Sequence, residues 1–505
     1  MLNDFTKLIL IFLIIFTPIA FGSMELWAFS IMELGILLII ILWAIQSLLR
    51  PALRRVQGSP EPRWIQGLSP EPRWIQGLSP EPYMVQGELQ SPHSTFVVIL
   101  LSLFLLLILF QLLPLPSGIL KIISPKTYAL RSALSLEPSA STFPLSFFPF
   151  LTQIEFFKWL TLIGLFIFLL RWNSLEQSNR TIKQLIIVVM MVGVLESLYG
   201  MFEFFSGHHH ILNLDGSALI SSVTGTFINR NYLAGYLLMV IPLSVGYLFS
   251  RETISTNRFM GWRHWLSSLD GKTLLIGFSV IVMVLGLLFT ASRMGILSLL
   301  LSFSLISFLF RNPEKGKRSS KTVVLIFGLA LLWAAWIGLD AVISRFFSVS
   351  EGFEERWKFW VNTFQIFKNF PFLGSGLGTF IQVFPMYRSF HITGLVTHAE
   401  NDFLQLASEV GLLGIGLLLV TFLFLFFKGV SRIRSMSYEN PKRYMGIGGL
   451  VGILTLMFHS LVERNIQVPS NAFLYTILWV IVLRISITKK GAISVYKMNQ
   501  TNQRN

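Results

Sequence analysis

Long runs of apolar residues recur along this chain from end to end, and short polar segments separate them. A helix needs about 20 apolar residues to cross the roughly 30 Å hydrocarbon core of a bilayer. We predict that each long run forms a membrane-spanning helix, about 12 in all. The predicted spans are residues 8–23, 31–49, 95–114, 152–170, 184–204, 231–249, 273–290, 294–310, 322–339, 409–427, 446–462 and 471–488. Because the alternating short strands of a β-barrel are absent from the pattern, the predicted fold class is all-α, a polytopic integral membrane protein.

Composition agrees with a chain that lies mostly in lipid. Of the 505 residues, 53% are hydrophobic and 13% are charged, against about 25% charged in an average soluble domain. The formal net charge of +15 would suggest nucleic acid in a soluble protein. In a membrane protein it is the excess of Lys and Arg that fixes orientation, so we expect no nucleic-acid partner. Cysteine is absent, which excludes disulfides, a thiol nucleophile and cysteine-ligated metals.

The distribution of basic residues predicts how the spans are oriented. If the N-terminus lies in the cytoplasm, most of the 40 Lys and Arg residues fall in cytoplasmic gaps or in the C-terminal tail. This asymmetry predicts that both termini are cytoplasmic. A minority of basic residues stays on the outer side, among them Arg293, Arg356 and Arg388. Positive charge on the disfavoured side suggests an anionic ligand there.

The spans and the segments between them predict that the chain has three regions. Residues 1–150 form N-terminal transmembrane helices with a Pro-rich insertion at 59–89, where a ten-residue unit that begins Ser-Pro-Glu-Pro recurs. Two prolines per unit exclude a helix, so this insertion is an extended cytoplasmic segment or a docking site for a partner. Residues 151–490 form a second membrane domain that includes a large outer loop at 340–408, and 491–505 is a cytoplasmic tail.

Within the outer loop the apolar spacing predicts an amphipathic helix on the outer leaflet. Its apolar positions are Phe353, Trp357, Trp360, Phe364 and Phe367. The helix is expected to stop near Pro371, and the glycines of Gly374-Ser375-Gly376-Leu377-Gly378 predict a flexible turn.

A polar stripe is predicted at the end of the same loop. Its members are His398, Asn401, Asp402, Gln405 and Glu409. At these spacings the side chains share one face of a helix that leads into the tenth span. Gly411 and Gly414 would then let that helix pack closely against another helix.

The polar residues of the outer side suggest phosphate chemistry. An arginine can hold a phosphate through two parallel hydrogen bonds, which makes Arg293, Arg356 and Arg388 candidate ligands. Each also has an ordinary interpretation, since Arg293 could snorkel at a tight reversal and Arg388 could be solvated. His398 is the candidate general base, with Glu400 or Asp402 to orient its ring.

Two further groups of polar residues have weaker interpretations. Asn229 and Asn231 could cap the sixth span or line the site. Three consecutive histidines at 208–210 do not present a ready tetrahedral set of ligands, so we expect no metal site there.

Several ordered motifs over roughly residues 150–490 resemble the O-antigen ligase and O-antigen polymerase superfamily of bacterial membrane glycosyltransferases. The pieces are Gly225-Thr226-Phe227 with Asn229 and Asn231, Ser292-Arg293-Met294-Gly295, Arg356, Pro371-Phe372-Leu373-Gly374-Ser375-Gly376-Leu377-Gly378-Thr379-Phe380, His398-Ala399-Glu400-Asn401-Asp402-Phe403-Leu404-Gln405 and Glu409-Val410-Gly411-Leu412-Leu413-Gly414. Each piece alone is a weak signal, whereas their order and shared outer location are fairly specific.

The resemblance implies a GT-C-like fold in the bacterial inner membrane. It also implies transfer of a glycan from an undecaprenyl-pyrophosphate carrier on the periplasmic face, without a metal ion or a cofactor. Arg293 and Arg356 would contact the pyrophosphate and His398 would be the base. We add Glu400 as a catalytic candidate and Arg388, Asn401 and Asn231 as substrate-binding candidates. The family often has a histidine two residues after this His398, where Glu400 stands here.

Four functions remain open at this point. The first is an O-antigen ligase, which joins the glycan to lipid A–core. The second is a polymerase of O-antigen or exopolysaccharide, which extends a growing glycan with the same motifs, and the third is a protein O-oligosaccharyltransferase. A small-anion transporter would also need many spans, but it predicts ionisable residues at mid-membrane and related halves, of which the sequence shows little.

Overall fold

The computed structural model describes residues 2–57, 92–134, 141–172, 179–207, 211–212, 222–252, 270–310, 328, 349–392 and 394–485. The Pro-rich repeat at 59–89, the histidines at 208–210 and the tail at 491–505 lie outside the described residues, as does the predicted ninth span at 322–339 apart from residue 328.

Helices dominate the described part of the chain. They are α1 (Leu2–Ile19), α2 (Leu26–Gln57), α3 (Pro92–Leu112), α4 (Ser117–Ile123), α5 (Pro125–Leu134), α6 (Pro149–Arg171), α7 (Asn179–Ser206), α8 (Arg230–Glu252), α9 (Gly271–Phe289), α10 (Arg293–Leu309), α11 (Val349–Asn369), α12 (Phe380–Val383), α13 (Asp402–Arg434), α14 (Pro441–His459) and α15 (Pro469–Arg484). Two 3₁₀ turns, Phe21–Ser23 and Phe384–Met386, join them. Strands β1 (Pro114–Pro116) and β2 (Thr142–Pro144) form a short antiparallel ribbon, with Leu115 opposite Phe143.

The predicted membrane spans fall on helices wherever the structure describes them. Eleven of the twelve predicted spans fall on helices, and the remaining one lies outside the described residues apart from residue 328. Seven of these helices, α2, α3, α6, α7, α8, α9 and α13, are long and apolar enough to cross a bilayer. Helices α10 and α15 are apolar but shorter. The structure is therefore that of a helical, multi-pass membrane protein, while the total of about 12 spans stays a prediction.

Helix α8 lies at the centre of the bundle, and its apolar stretch is completely buried. It packs against α14 so closely that backbone meets backbone. A Cβ atom on Gly448 would lie 2.4 Å from the carbonyl oxygen of Pro242, and one on Gly246 would lie 2.4 Å from that of Tyr444. Small residues at such crossings let two helices approach without a side chain between them. The contact fixes the start of α8 relative to the end of α14, where the polar residues gather.

Helix α13 is interrupted at Gly411, whose φ of 66° is outside the helical region. A Cβ there would lie 2.3 Å from the carbonyl group of Phe372. The amides freed by the kink find other acceptors: Leu412 N donates to Pro371 O at 2.7 Å, and Leu413 N donates to Phe372 O at 3.2 Å. Gly411 thus packs closely, but against the turn that follows α11 and not against another helix as predicted. Glycine is needed there because its φ is positive.

The glycine turn after α11 is tightly held, which differs from the flexible turn that the sequence predicts. The Glu409 carboxylate accepts Gly378 N at 2.9 Å and Phe380 N at 3.1 Å. The Gln111 amide nitrogen donates to Leu373 O at 2.7 Å. Buried polar side chains from α3 and α13 therefore satisfy this backbone, which glycine composition alone does not reveal.

The polar stripe needs a correction, because α13 begins at Asp402 and does not include His398. Asn401 is the N-cap residue, and its side chain accepts Leu404 N at 3.0 Å. Glu400 has a φ of 51°, which breaks the helical path before the cap. Only Asp402, Gln405 and Glu409 lie on the helix, and all three are buried. His398 lies in the irregular segment before it.

The helix predicted in the outer loop is present as α11 and ends before Pro371, as expected. Its buried face holds Asn362, Thr363 and Ile366, whereas Phe353 and Trp357 are exposed. An exposed aromatic face is consistent with the predicted position at a lipid surface.

Candidate functional site

The candidate site lies at one end of the helical bundle. Helices α8, α10, α13 and α15 begin there, and α14 ends there. The connection between α14 and α15, residues 460–468, brings Glu463 and Arg464 into the middle of this end. We call this connection the 460–468 loop.

A buried carboxylate holds the 460–468 loop in place. One oxygen of Asp402, Oδ2, accepts the amide N–H of Asn465 at 2.8 Å and that of Ile466 at 2.7 Å. In return, Asp402 N donates to Ser460 O at 3.1 Å. On the other side, the Asn471 side chain of α15 donates to Asn465 Oδ1 of the loop at 3.4 Å and to Tyr232 O of α8 at 3.1 Å. The loop is thus tied to the starts of α13, α15 and α8.

Glu463 joins two of the predicted site residues. Its carboxylate forms an ion pair with Arg356 of α11 at 2.6 Å and accepts the side-chain amide of Asn231 at 2.7 Å. Glu463 is buried, and this burial raises its pKa to about 8 even beside the guanidinium. Asn231 therefore positions Glu463, and Arg356 reaches the site with part of its hydrogen-bonding capacity already used.

His398 lies against Arg464 of the 460–468 loop. Arg464 Nη1 donates to His398 Nε2, while His398 Nδ1 is buried and has no hydrogen-bond partner. Burial, the Arg464 charge and, less strongly, Lys158 hold the pKa of His398 far below its usual range. The ring is therefore neutral at physiological pH. The expected hydrogen bond from Glu400 or Asp402 to this ring is not formed.

Glu400 contacts the backbone of the 460–468 loop instead. Its carboxylate accepts the Arg464 N–H, and burial raises its pKa against the opposing charges of Arg356 and Arg464. Its own carbonyl oxygen is 3.4 Å from Trp360 Nε1 of α11. These contacts place Glu400 between α11 and the loop. Its catalytic role stays a prediction.

A cavity of about 510 Å³ extends from His398 and Arg464 into the helices. Near these two residues its wall is polar, with Lys158, Gln405 and Gln467. Farther along, the wall is apolar and is formed by α3, α6, α13 and α15. The apolar lining includes Leu101, Trp159, Leu162, Ile163, Phe166, Leu418, Leu419, Phe422, Leu425, Tyr475 and Trp479. The carboxylates Glu155, Asp402 and Glu409 also line the cavity, so its polar end carries both signs of charge. A cavity with one charged end and one long apolar end fits an amphiphile with a charged head group.

Residues 278–419 match the family model for O-antigen ligase. The match confirms the resemblance that the sequence motifs indicate. It lies within the predicted domain 151–490, and it includes the predicted site residues Arg293, Arg356 and His398. A search of curated proteins found no match to the chain.

Three residues of the candidate site, Lys158, Glu463 and Arg464, were not predicted from the sequence, and all lie outside the matched segment. Lys158 of α6 is buried in the cavity wall and pairs with Glu155 at 2.5 Å. Arg464 lines the same cavity from the 460–468 loop. Lys158 carried a detectable signal, because a charged residue inside an apolar span is a functional candidate by default. Arg464 carried a weaker signal: it lies between the eleventh and twelfth predicted spans, on the outer side, where positive charge is disfavoured.

The other predicted ligands are distributed around the site. Arg293 is the first residue of α10 and is half-buried. A Cβ on Gly295, two residues later, would lie 3.0 Å from Ala234, so this helix start packs beside the first turn of α8. Arg388 is exposed after the Phe384–Met386 turn, outside the cluster. Asn401 caps α13, and its substrate-binding role stays a prediction.

Within the part of the chain that the structure describes, no group of three histidine, aspartate or glutamate side chains is arranged to hold a metal ion. Independence from metal stays a prediction.

Proposed function

We propose that this protein is a membrane glycosyltransferase that moves a glycan from an undecaprenyl-pyrophosphate carrier to an acceptor hydroxyl. The family match supports a transferase of the O-antigen ligase and polymerase type in general. Within this class we propose the ligase reaction, with lipid A–core as the acceptor.

One observation carries the proposal: the cavity joins a long apolar wall to a polar end where His398, Arg464 and Lys158 meet. A polyprenyl chain needs an apolar path between helices, and its pyrophosphate needs cations at one end of that path. The cavity offers both, and the candidate base lies at the head-group end. A soluble nucleotide-sugar donor would have no use for the apolar wall.

The proposed chemistry uses His398 as the base. An acceptor hydroxyl attacks the anomeric carbon of the lipid-linked sugar, and its proton passes to the neutral imidazole at Nε2. The bond between the anomeric carbon and the pyrophosphate oxygen breaks, and that oxygen takes the electron pair. The depressed pKa of His398 keeps the ring unprotonated before the reaction.

Negative charge grows on the pyrophosphate as it leaves. Lys158 and Arg464 line the cavity at this point, and Arg356 lies next to Arg464 through its pair with Glu463. Fixed cations in a site of low dielectric stabilise such charge and do not need to reorganise during the step. We include Arg293 in this group because it begins the helix beside α8.

We further propose that the site faces the periplasm and that both termini are cytoplasmic. The opposite end of the bundle carries the basic residues Arg171, Arg251 and Arg434, at the ends of α6, α8 and α13. Lys and Arg concentrate on the cytoplasmic side of membrane proteins.

The test is transfer by purified protein in liposomes that contain an undecaprenyl-pyrophosphate glycan. We expect His398→Ala and Arg293→Ala to insert normally and to lose transfer by about 10²-fold or more, the usual effect of removing a base or a charge-stabilising group. Arg434→Ala, which changes an exposed arginine at the far end of α13, is the control. Normal activity in both site variants would refute the site assignment.

Separate acceptor arms distinguish the related reactions. Lipid A–core, the donor's own glycan and an acceptor protein are each offered alone, and product on lipid A–core is expected. Product only on the glycan would identify a polymerase, and product only on the protein an O-oligosaccharyltransferase. We expect transfer to continue in EDTA. Loss of transfer that a divalent ion restores would contradict the metal-independent mechanism.

A further inference from the structure

Arg464 and His398 are joined at the atom that the proposed reaction needs. An arginine side chain has only hydrogen-bond donors, so the His398 nitrogen that it contacts must be the acceptor. The contact is at Nε2, which places the lone pair on Nε2 and the ring proton on Nδ1. Arg464 therefore covers the lone pair that would take the acceptor proton.

The guanidinium of Arg464 differs from the charged groups of Arg356 and Lys158 in forming no ion pair with a carboxylate. Among the described residues Arg356 pairs with Glu463 and Lys158 pairs with Glu155, whereas no ion pair includes Arg464. Its Nε atom is buried and has no hydrogen-bond partner. A guanidinium with unused donors in a low-dielectric wall interacts strongly with an incoming anion.

The backbone around Arg464 is anchored, which confines any movement to its side chain. Asp402 holds the two amides that follow it, at 2.8 and 2.7 Å, and the Glu400 carboxylate accepts the N–H of Arg464 itself. The guanidinium lines the cavity and is half-buried. It can change partner by rotating its side chain while the loop stays in place.

We propose that Arg464 serves two partners in turn. In the empty site its guanidinium occupies Nε2 of His398; when a lipid-linked pyrophosphate enters the cavity, the anion takes the guanidinium and leaves Nε2 free to accept a proton. The inference rests on the proposed function and adds an order to it, because the base becomes available only after the donor is bound. Water or a stray hydroxyl would then meet a covered base.

Chemical modification tests, without any substrate, whether Arg464 covers His398 in the empty site. Diethyl pyrocarbonate reacts with unprotonated imidazole nitrogens, and peptide mass spectrometry reports each histidine separately. In Arg464→Gln we expect His398 to react about tenfold faster than in the wild type, as expected when a charge-assisted hydrogen bond is lost. The exposed His391 and the fully buried His459 are internal controls. Both must react as in the wild type, which separates an uncovered base from a disturbed fold.

Inorganic pyrophosphate, used as an inhibitor of transfer, tests whether Arg464 binds the pyrophosphate group. We expect its inhibition constant to rise about tenfold in Arg464→Gln and less in Arg464→Lys, which keeps the charge but loses the planar fork. Transfer itself should fall in Arg464→Gln although its base is more reactive. Arg434→Gln should match the wild type in both measurements.

The outcomes separate this inference from the proposed function. If the wild type transfers glycan but His398 reacts equally in Arg464→Gln, or pyrophosphate inhibits it equally, the two-partner role is wrong and the enzyme assignment stands. If no donor and acceptor pair gives product with the wild type, the proposed function fails, while a faster reaction of His398 in Arg464→Gln would still support the resting contact.

Discussion

Asp402→Ala offers the sharpest test of how the site is held together. One carboxylate oxygen accepts two amides of the 460–468 loop, at 2.8 and 2.7 Å. A buried donor that loses its partner costs about 1–3 kcal/mol, so two of them cost about 2–6 kcal/mol if the loop stays in place. The loop will shift to reach other acceptors, and Glu463 and Arg464 will move with it. We expect transfer to fall at least about 100-fold, since about 1.4 kcal/mol corresponds to a factor of ten.

Asp402→Asn is the informative partner variant. A single oxygen, Oδ2, accepts both amides, and Oδ1 has no hydrogen-bond partner. The asparagine oxygen can take the same two bonds, so its transfer rate should stay within about tenfold of the wild type.

The assay is glycan transfer in liposomes, with thermal unfolding in detergent measured in parallel. Asn440→Ala is the control, because it removes a helix cap from the start of α14, at the opposite end of the bundle. It should lower stability by about 1 kcal/mol and leave transfer unchanged. If Asp402→Ala keeps more than half of the wild-type activity, the 460–468 loop does not depend on this carboxylate, and the reasoning is wrong.

Two further predictions concern pH and the kink of α13. Because burial, Arg464 and Lys158 hold the pKa of His398 low, the acid limb of kcat/KM should lie well below pH 6.5, and Arg464→Gln should move it upward. Glu463, with a pKa of about 8, should add a second inflection to the pH profile of kcat/KM, and Glu463→Gln should remove it. An acid limb near pH 6.5 in the wild type would contradict the low pKa of His398. Gly411→Ala should lower the unfolding free energy by at least about 1–2 kcal/mol because of its left-handed φ and the Phe372 carbonyl. Gly416→Ala, in the same helix with open space around it, should be neutral or slightly stabilising, and equal thermal stability of the two variants would be the contrary result.

The helices were predictable because long apolar runs leave few alternatives in a bilayer. At Gly411 the sequence predicted close packing but not the kink in the helix. Helix α13 starts at Asp402 because Asn401 caps it and the backbone of Glu400 is not helical. The spacing of polar residues predicted a helix that began earlier, at His398. Spacing shows which residues could share a face, but a local hydrogen bond decides where the helix begins.

The site was predictable in its location and less so in its contacts. His398 and Arg356 are brought to the same end of the bundle, as the motifs indicate. Their actual partners, Arg464 and Glu463, come from a loop more than sixty residues after His398 in the chain. Pairing over such a distance is set by the packing of α8 against α14, which the pattern of one sequence does not contain.

Photolabelling of the cavity tests the central claim most directly. A photoreactive undecaprenyl pyrophosphate is incubated with the protein in liposomes, irradiated and mapped by mass spectrometry. We expect label on α6 and α13, at the lining residues Trp159, Leu162 and Phe422, and we expect unlabelled undecaprenyl pyrophosphate to compete it away. Label confined to outward-facing residues such as Leu275 of α9, or label on the cavity that does not compete, would contradict the placement of the donor beside His398.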